Sequence, residues 1–175
     1  MNLQEIVLVN NAGVFESHSL LENDLKIWHR MFDTNLFAAV RLTQLILPFM
    51  ISLKRGSIVN ISSALGLNTI PNTGAYSASK AAMNMWSQSL ALEMGKYGIR
   101  VNTICPGLVD TPIQDFHFQQ GEQKTETLQK LAGLQPMGRI GTPQDVASAA
   151  YCLGSETSSW TTGSNLVVDG GINLV

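Results

Sequence analysis

The sequence predicts an α/β chain built on a parallel, doubly wound sheet with helices on both faces. Two observations carry that expectation. Glu5-Ile6-Val7-Leu8-Val9, Ser57-Ile58-Val59-Asn60-Ile61 and Gly98-Ile99-Arg100-Val101-Asn102-Thr103-Ile104 are short apolar, β-branched runs of the kind buried on both faces of a parallel sheet. Longer segments with apolar residues at helical spacing separate them, and strands that alternate with helices fold as βαβ units.

In chain order, the first strand opens into the turn Asn10-Asn11-Ala12-Gly13. Asn23 and Asp24 are helix caps, and Leu25, Trp28, Met31, Phe32, Leu36, Val40 and Leu42 predict one long helix to about Leu53, kinked or broken at Pro48. Arg55-Gly56 turns into the second strand, which stops at two hydroxyls, Ser62 and Ser63. After a Gly/Pro/Asn-rich connection, Ala75 to about Tyr97 reads as a helix apolar on more than one face. One face must lie on the sheet and the other needs a cover. The third strand ends in Cys105-Pro106-Gly107-Leu108-Val109-Asp110-Thr111. Pro112 to Gly133 is polar and Gln-rich, a loop with a short helix, in which Phe116 and Phe118 either line an apolar pocket or anchor the loop. A capped helix to about Gly154 follows Thr142-Pro143, and the last strand, Asn165-Leu166-Val167-Val168, closes at Asp169-Gly170-Gly171.

Composition bounds the partners. The chain has 175 residues, is 45% hydrophobic and 14% charged, and carries a formal net charge of -2. That is enough to bury one sizeable core, and the length favours a single domain over residues 1–175. Its basic residues are scattered, which argues against a nucleic-acid or anionic-membrane surface. Cys105 and Cys152 lie far apart and read as small buried hydrophobes in a reducing compartment, and dispersed His18, His29 and His117 offer no metal-ligand spacing. The apolar stretch Leu45 to Leu53 is short and contains Pro48, and the N-terminus lacks a basic leader, so the chain is expected to be a soluble, cytoplasmic protein.

The chemistry centres on Tyr76-Ser77-Ala78-Ser79-Lys80. Residues four apart share a helix face, so Tyr76 and Lys80 point the same way. An isolated phenol is a poor acid near neutrality, and an ammonium one turn away is expected to lower its pKa. Ser63, at the end of the preceding strand, can hydrogen-bond a substrate oxygen held between them.

With Asn10-Asn11-Ala12-Gly13 upstream and Pro106-Gly107 downstream, this constellation resembles the short-chain dehydrogenase/reductase family. The resemblance implies a Rossmann-type sheet and hydride transfer between NAD or NADP and an alcohol/carbonyl pair of small molecules. It assigns Tyr76 as proton donor and acceptor, Lys80 as the residue that lowers its pKa and contacts the nicotinamide ribose, and Ser63 as the carbonyl-orienting group. Asn35, in a stretch that resembles the family's Thr-Asn-Leu segment, is implied to hold a water linked to the lysine. Asn10, Ala12 and Gly13 are implied to lie beside the adenosine ribose, and Pro106, Gly107, Val109 and Thr111 beside the nicotinamide. The resemblance also implies a homodimer or homotetramer paired through the long helices.

The family's Gly-rich turn, Thr-Gly-x-x-x-Gly-x-Gly, whose N–H groups hold the cofactor pyrophosphate, does not occur in this sequence. The first strand here corresponds to the family's fourth. A partial sheet is therefore expected, with N-terminal strands missing, roughly 80 residues at about 30 per βαβ unit, an open edge at Glu5 to Val9 and weakened cofactor affinity. A non-catalytic interaction or dimerisation module is the alternative. An epimerase or dehydratase of the extended branch, which the resemblance would give a further C-terminal substrate domain, is disfavoured, because little chain follows Gly171.

Overall fold

Each apolar run forms a strand. The structure, a computed structural model, describes residues 5–22, 24–114 and 122–175. Strands β1 (Val7–Asn10), β2 (Gly56–Ile61), β3 (Ile99–Pro106) and β4 (Asn165–Val168) lie in sequence order in one four-stranded sheet, and every pairing is parallel. Alternate strand residues face opposite sides, and the two sides carry different helices. Ile58, Ile99 and Val101 pack with Met50 of α2 (Ala38–Leu53) and with Leu90 and Ala91 of α3 (Gly74–Met94). Val59 and Ile104 pack with Leu153 of α5 (Pro143–Gly154). The sheet is thus covered on both faces, as the burial pattern of doubly wound folds requires.

A row of polar side chains crosses the α2/α3 side of this sheet. Asn10, Asn60, Thr103 and Asn165 are successive register partners. Asn10 Nδ2 donates to Asn60 Oδ1 at 2.7 Å and to Thr43 Oγ1 of α2 at 3.3 Å, while Asn60 Nδ2 donates to Ser87 Oγ of α3 at 2.8 Å. Paired in this way, the Asn10 and Asn60 amides fix strand register instead of destabilising the core, whereas Thr103 Oγ1 and Asn165 Oδ1 at the far end of the row are buried without a hydrogen-bond partner among the described residues.

The long helix predicted to begin at Asp24 is continuous but not uniform. Asp24 caps α1 (Leu25–Phe32) by accepting from the Lys26 N–H, a π turn over Asp33–Phe37 follows, and α2 continues from it. Asn23 lies outside the described residues. Pro48 sits inside α2 without ending it; the helix stops at Lys54, which adopts a left-handed conformation with φ 51°. Taken together, Leu25–Leu53 spans 29 residues with an 18-residue window of mean hydropathy 1.8, long and apolar enough to cross a membrane by length and composition. The core helix of a folded domain passes the same test, so the expectation drawn from Leu45 to Leu53 is not overturned. Within the fold, its polar residues Asn35 and Thr43 are buried against β1 and the loop after it.

Two further expectations meet the structure differently. Cys105 is buried, but Cys152 is exposed, because it lies toward the outer face of α5 beside Tyr151, which is itself exposed. The polar stretch after Pro112 contains a helix, α4 (Glu122–Gly133), and Phe116 and Phe118 lie outside the described residues. At the sheet's margin, β2 is buried from Gly56 to Asn60, whereas Val7 and Val9 of β1 remain 48% and 43% exposed. β1 is the end strand, with an apolar side unprotected.

Candidate active site

The end of β2 and the first turns of α3 form one unit. Ser63 Oγ accepts from the Leu65 N–H at 3.1 Å and caps the short 3-10 turn Ala64–Gly66. That turn packs against α3 so closely that a Cβ at Gly66 would stand 2.9 Å from the carbonyl carbon of Lys80. Ser62 Oγ donates to the Lys80 carbonyl at 3.0 Å, and Lys80 Nζ donates back to the Ile61 carbonyl at 2.9 Å. The strand end and the helix turn carrying Lys80 are therefore bound by reciprocal hydrogen bonds. Tyr76 lies one helical turn earlier, its ring centroid 5.8 Å from Lys80 Nζ, and the Ser63 hydroxyl acts on its phenol, drawing its pKa down. The structure thus brings Ser63, Tyr76 and Lys80 together.

Electrostatics depart from the simple expectation. The Tyr76 phenol is pushed above its ordinary value by burial, and the Ser63 hydrogen bond pulls only weakly the other way. Lys80 is lowered to about 8, again by burial, with the neighbouring Cys105 thiol acting in the opposite sense. The phenol therefore lies above its ordinary value and not below it, where the ammonium acting alone would place it. Both groups are nine-tenths removed from water, and loss of hydration outweighs their mutual field. Near neutrality this leaves a protonated phenol beside a lysine that is mostly charged.

Asn35 sits in the π turn and is fully buried. One-turn π insertions concentrate at functional sites. Its side-chain amide grips the backbone of one residue in the loop after β1: Oδ1 accepts from the Val14 N–H at 2.8 Å and Nδ2 donates to the Val14 carbonyl at 3.0 Å. Nδ2 also reaches Ser79 Oγ at 3.0 Å, and Ser79 Oγ donates to the Tyr76 carbonyl at 2.7 Å. Ser79 is thus a bridge that the sequence reading missed. Its signal was present, since a serine three residues after Tyr76 can bond back to that turn.

The remaining candidates separate. Gly13 is central: a methyl placed on it would stand 3.4 Å from both Asn35 Oδ1 and Lys80 Nζ. Ala12 is exposed, and Asn10 turns inward to the polar row instead of toward the loop. Pro106 pairs with Val168 at the end of β3. A Cβ on Gly107 would stand 2.7 Å from Asp169 Cβ, so this glycine permits close approach of the loop to Asp169. Val109 is buried and bridges to Gly141, and Thr111 Oγ1 donates to the Val109 carbonyl at 3.4 Å. A concavity of about 380 Å³ is lined by residues including Leu108, Met137 and Asp169, and another of about 230 Å³ lies between α2 and α3. Tyr76 lines neither.

The donor set at Lys80 suits a polyhydroxyl ligand such as a nicotinamide ribose. A lysine ammonium is a triple donor, and here a single protein acceptor, the Ile61 carbonyl, is found among the described residues. Donor capacity is left at a buried position beside Gly13.

The profile of the family described as Enoyl-(Acyl carrier protein) reductase matches residues 6–173. The chain is 39% identical over 166 residues to the 3-oxoacyl-(acyl-carrier-protein) reductase FabG of Chlamydia muridarum. This chain belongs to the short-chain dehydrogenase/reductase family. Aligned with that reductase, 95% of the chain is covered but only 64% of the relative. Among solved structures of short-chain dehydrogenases, the ligand-free aldohexose dehydrogenase of Thermoplasma acidophilum superposes with a TM-score of 0.91 at 34% identity, covering 97% of this chain and 68% of that one. ElxO with NADP bound superposes with a TM-score of 0.86 at 31% identity, covering 97% and 67%. The chain thus spans about two-thirds of the length of these relatives.

Proposed function

We propose that residues 1–175 form, as a single domain, the catalytic portion of an NAD(P)-dependent oxidoreductase that interconverts a small alcohol and its carbonyl. The observation that carries this reading is the joining of Ser63, Tyr76 and Lys80 where β2 meets α3, with Asn35 tied to the same helix turn through Ser79. The cofactor, NAD or NADP, would supply the hydride, with Lys80 and Gly13 at its ribose and the Pro106 to Thr111 loop nearby.

The residues divide the remaining work. Ser63 orients the substrate oxygen by hydrogen bonding. Tyr76, kept protonated by burial, delivers a proton to that oxygen in reduction and recovers it in oxidation. Lys80 stabilises the phenolate left behind, and its charge weakens as pH rises through about 8. Asn35 organises the groups behind Lys80. A cytoplasmic setting fits this reading.

The test is oxidation of NADH or NADPH by the purified chain against a panel of small carbonyl compounds at millimolar cofactor. Turnover is expected, and Tyr76→Phe should abolish it without changing the melting temperature. Turnover that survives in the Phe variant removes Tyr76 from its role.

A second reading, a non-catalytic dimerisation module, is favoured by the half-exposed Val7 and Val9 on β1. On either reading, exposed Leu45 and Phe49 of α2 and Met85 and Leu92 of α3 support pairing with another copy through these helices.

A further inference from the structure

Phe15 follows the turn after β1 and has no counterpart in the motif set that marks the site. Its ring meets the Tyr76 ring edge to face, with centroids 4.7 Å apart and planes at 75°. Both partners in this contact are held by the same buried amide. Asn35 grips the backbone N–H and carbonyl of Val14, which sets the two peptides leading into Phe15, and through Ser79 it reaches the carbonyl of Tyr76. Met31, Ala75, Ile27, Trp28 and Leu65 enclose the pair.

We propose that Phe15 is a positioning residue for Tyr76, its ring fixing the plane of the phenol and hence the direction of the hydroxyl. The geometry allows few alternatives: Ser63 takes the hydroxyl, Lys80 lies 5.8 Å from the ring centroid, and Phe15 blocks rotation of the ring out of that arrangement. Asn35 then acts on Tyr76 from both sides, through the helix backbone and through Phe15. Edge-to-face contact is a preferred aromatic arrangement and restrains ring orientation more than an aliphatic neighbour does.

This inference rests on Tyr76 being the proton carrier, but it is tested without turnover. The full chain, labelled with carbon-13 at Cζ of its 3 tyrosines, is titrated by NMR, and Tyr76→Phe assigns the signal. Phe15→Leu, which keeps the apolar volume and removes the ring, should admit water and lower the Tyr76 titration midpoint by about 1 unit. Phe15→Tyr, which keeps the ring, should leave it in place. Ile27→Val, in the same cluster, should lower the melting temperature and leave the midpoint alone. A folded Phe15→Leu chain with an unshifted Tyr76 overturns the proposal. If that variant does not fold, the unsubstituted chain decides, since the Tyr76 ring protons must show cross-peaks to Phe15 and upfield displacement by its ring, and their absence overturns the proposal. A shifted midpoint in chains that never turn over would support the positioning role while removing the oxidoreductase reading.

Discussion

Lys80 shows how burial competes with function at one residue. Its ordinary value of 10.5 falls to about 8 in the folded chain. Between these values the unfolded chain holds more protons than the folded one, so stability increases with pH across that window. The buried charge is fully unfavourable below about 8 and is relieved above it. Cys105 has the opposite sign: burial raises it from 9.0 to about 11, so its neutral thiol supports the fold below 9.0 and that support is lost as pH rises through about 11. Tyr76, also raised, opposes the gain above 10.0. Among the described groups with a clear shift, Lys80 therefore acts alone between about pH 8 and about pH 9, where stability should rise by roughly 1 kcal/mol. Urea denaturation at both ends of that window checks this, and Lys80→Met should flatten the slope. A flat profile in the unsubstituted chain would mean that Lys80 is more hydrated than its burial implies. The sequence placed Tyr76 and Lys80 on one face because that follows from helical spacing alone. It could not show that desolvation dominates their pKa values, because burial depends on what the rest of the chain stacks over them.

At the scale of elements, the site depends on how the turn after β2 meets α3. Gly66 has no room for a side chain: a Cβ there would lie 2.9 Å from the Lys80 carbonyl carbon and 3.1 Å from the Ala81 nitrogen. These are backbone atoms of a long helix and yield little. Gly66→Ala should therefore cost about 1–3 kcal/mol and push α3 away from Ser62 and Ser63. A lower melting temperature and loss of the Tyr76 shift by NMR are the expected readouts; a chain of unchanged stability would show that the turn can separate from α3 at no cost. The sequence marked Gly66 only as part of a Gly/Pro/Asn-rich connection, since the close approach is to a helix turn 14 residues further along the chain. The helix over Leu25–Leu53 was legible from its apolar spacing, but the π turn within it was not. That turn surrounds Asn35, whose amide is committed to Val14 and Ser79, contacts 21 and 44 residues away in sequence. Cys152 illustrates the same limit: amphipathic spacing gave a helix, while which cysteine faced inward was decided by the placement of α5 against Val59 and Ile104.

At the scale of the whole molecule, apolar side chains stand exposed on β1 and on α3, and the two places predict different behaviour. Val7 and Val9 lie on the end strand, where unpaired backbone groups add to the apolar side chains. Leu92, 87% exposed, and Met85 lie on α3. If α2 and α3 carry specific pairing, Leu92→Glu should convert a defined oligomer to monomer in light scattering. Val9→Lys should leave that oligomer intact and reduce concentration-dependent aggregation. The reverse pattern would move the pairing surface to β1. The sequence by itself determined the parallel α/β sheet and marked Ser63, Tyr76 and Lys80 as one candidate set, because apolar runs, helical spacing and strand-end hydroxyls are local properties of the chain, whereas the order of the strands was decided by the fold. Only the tertiary structure decided that Asn10 serves the polar row, that Gly107 accommodates Asp169, and that Asn35 ties Val14 to the turn of Tyr76. Those outcomes depend on which distant backbones come within hydrogen-bonding or contact distance, and that is fixed by packing the elements together.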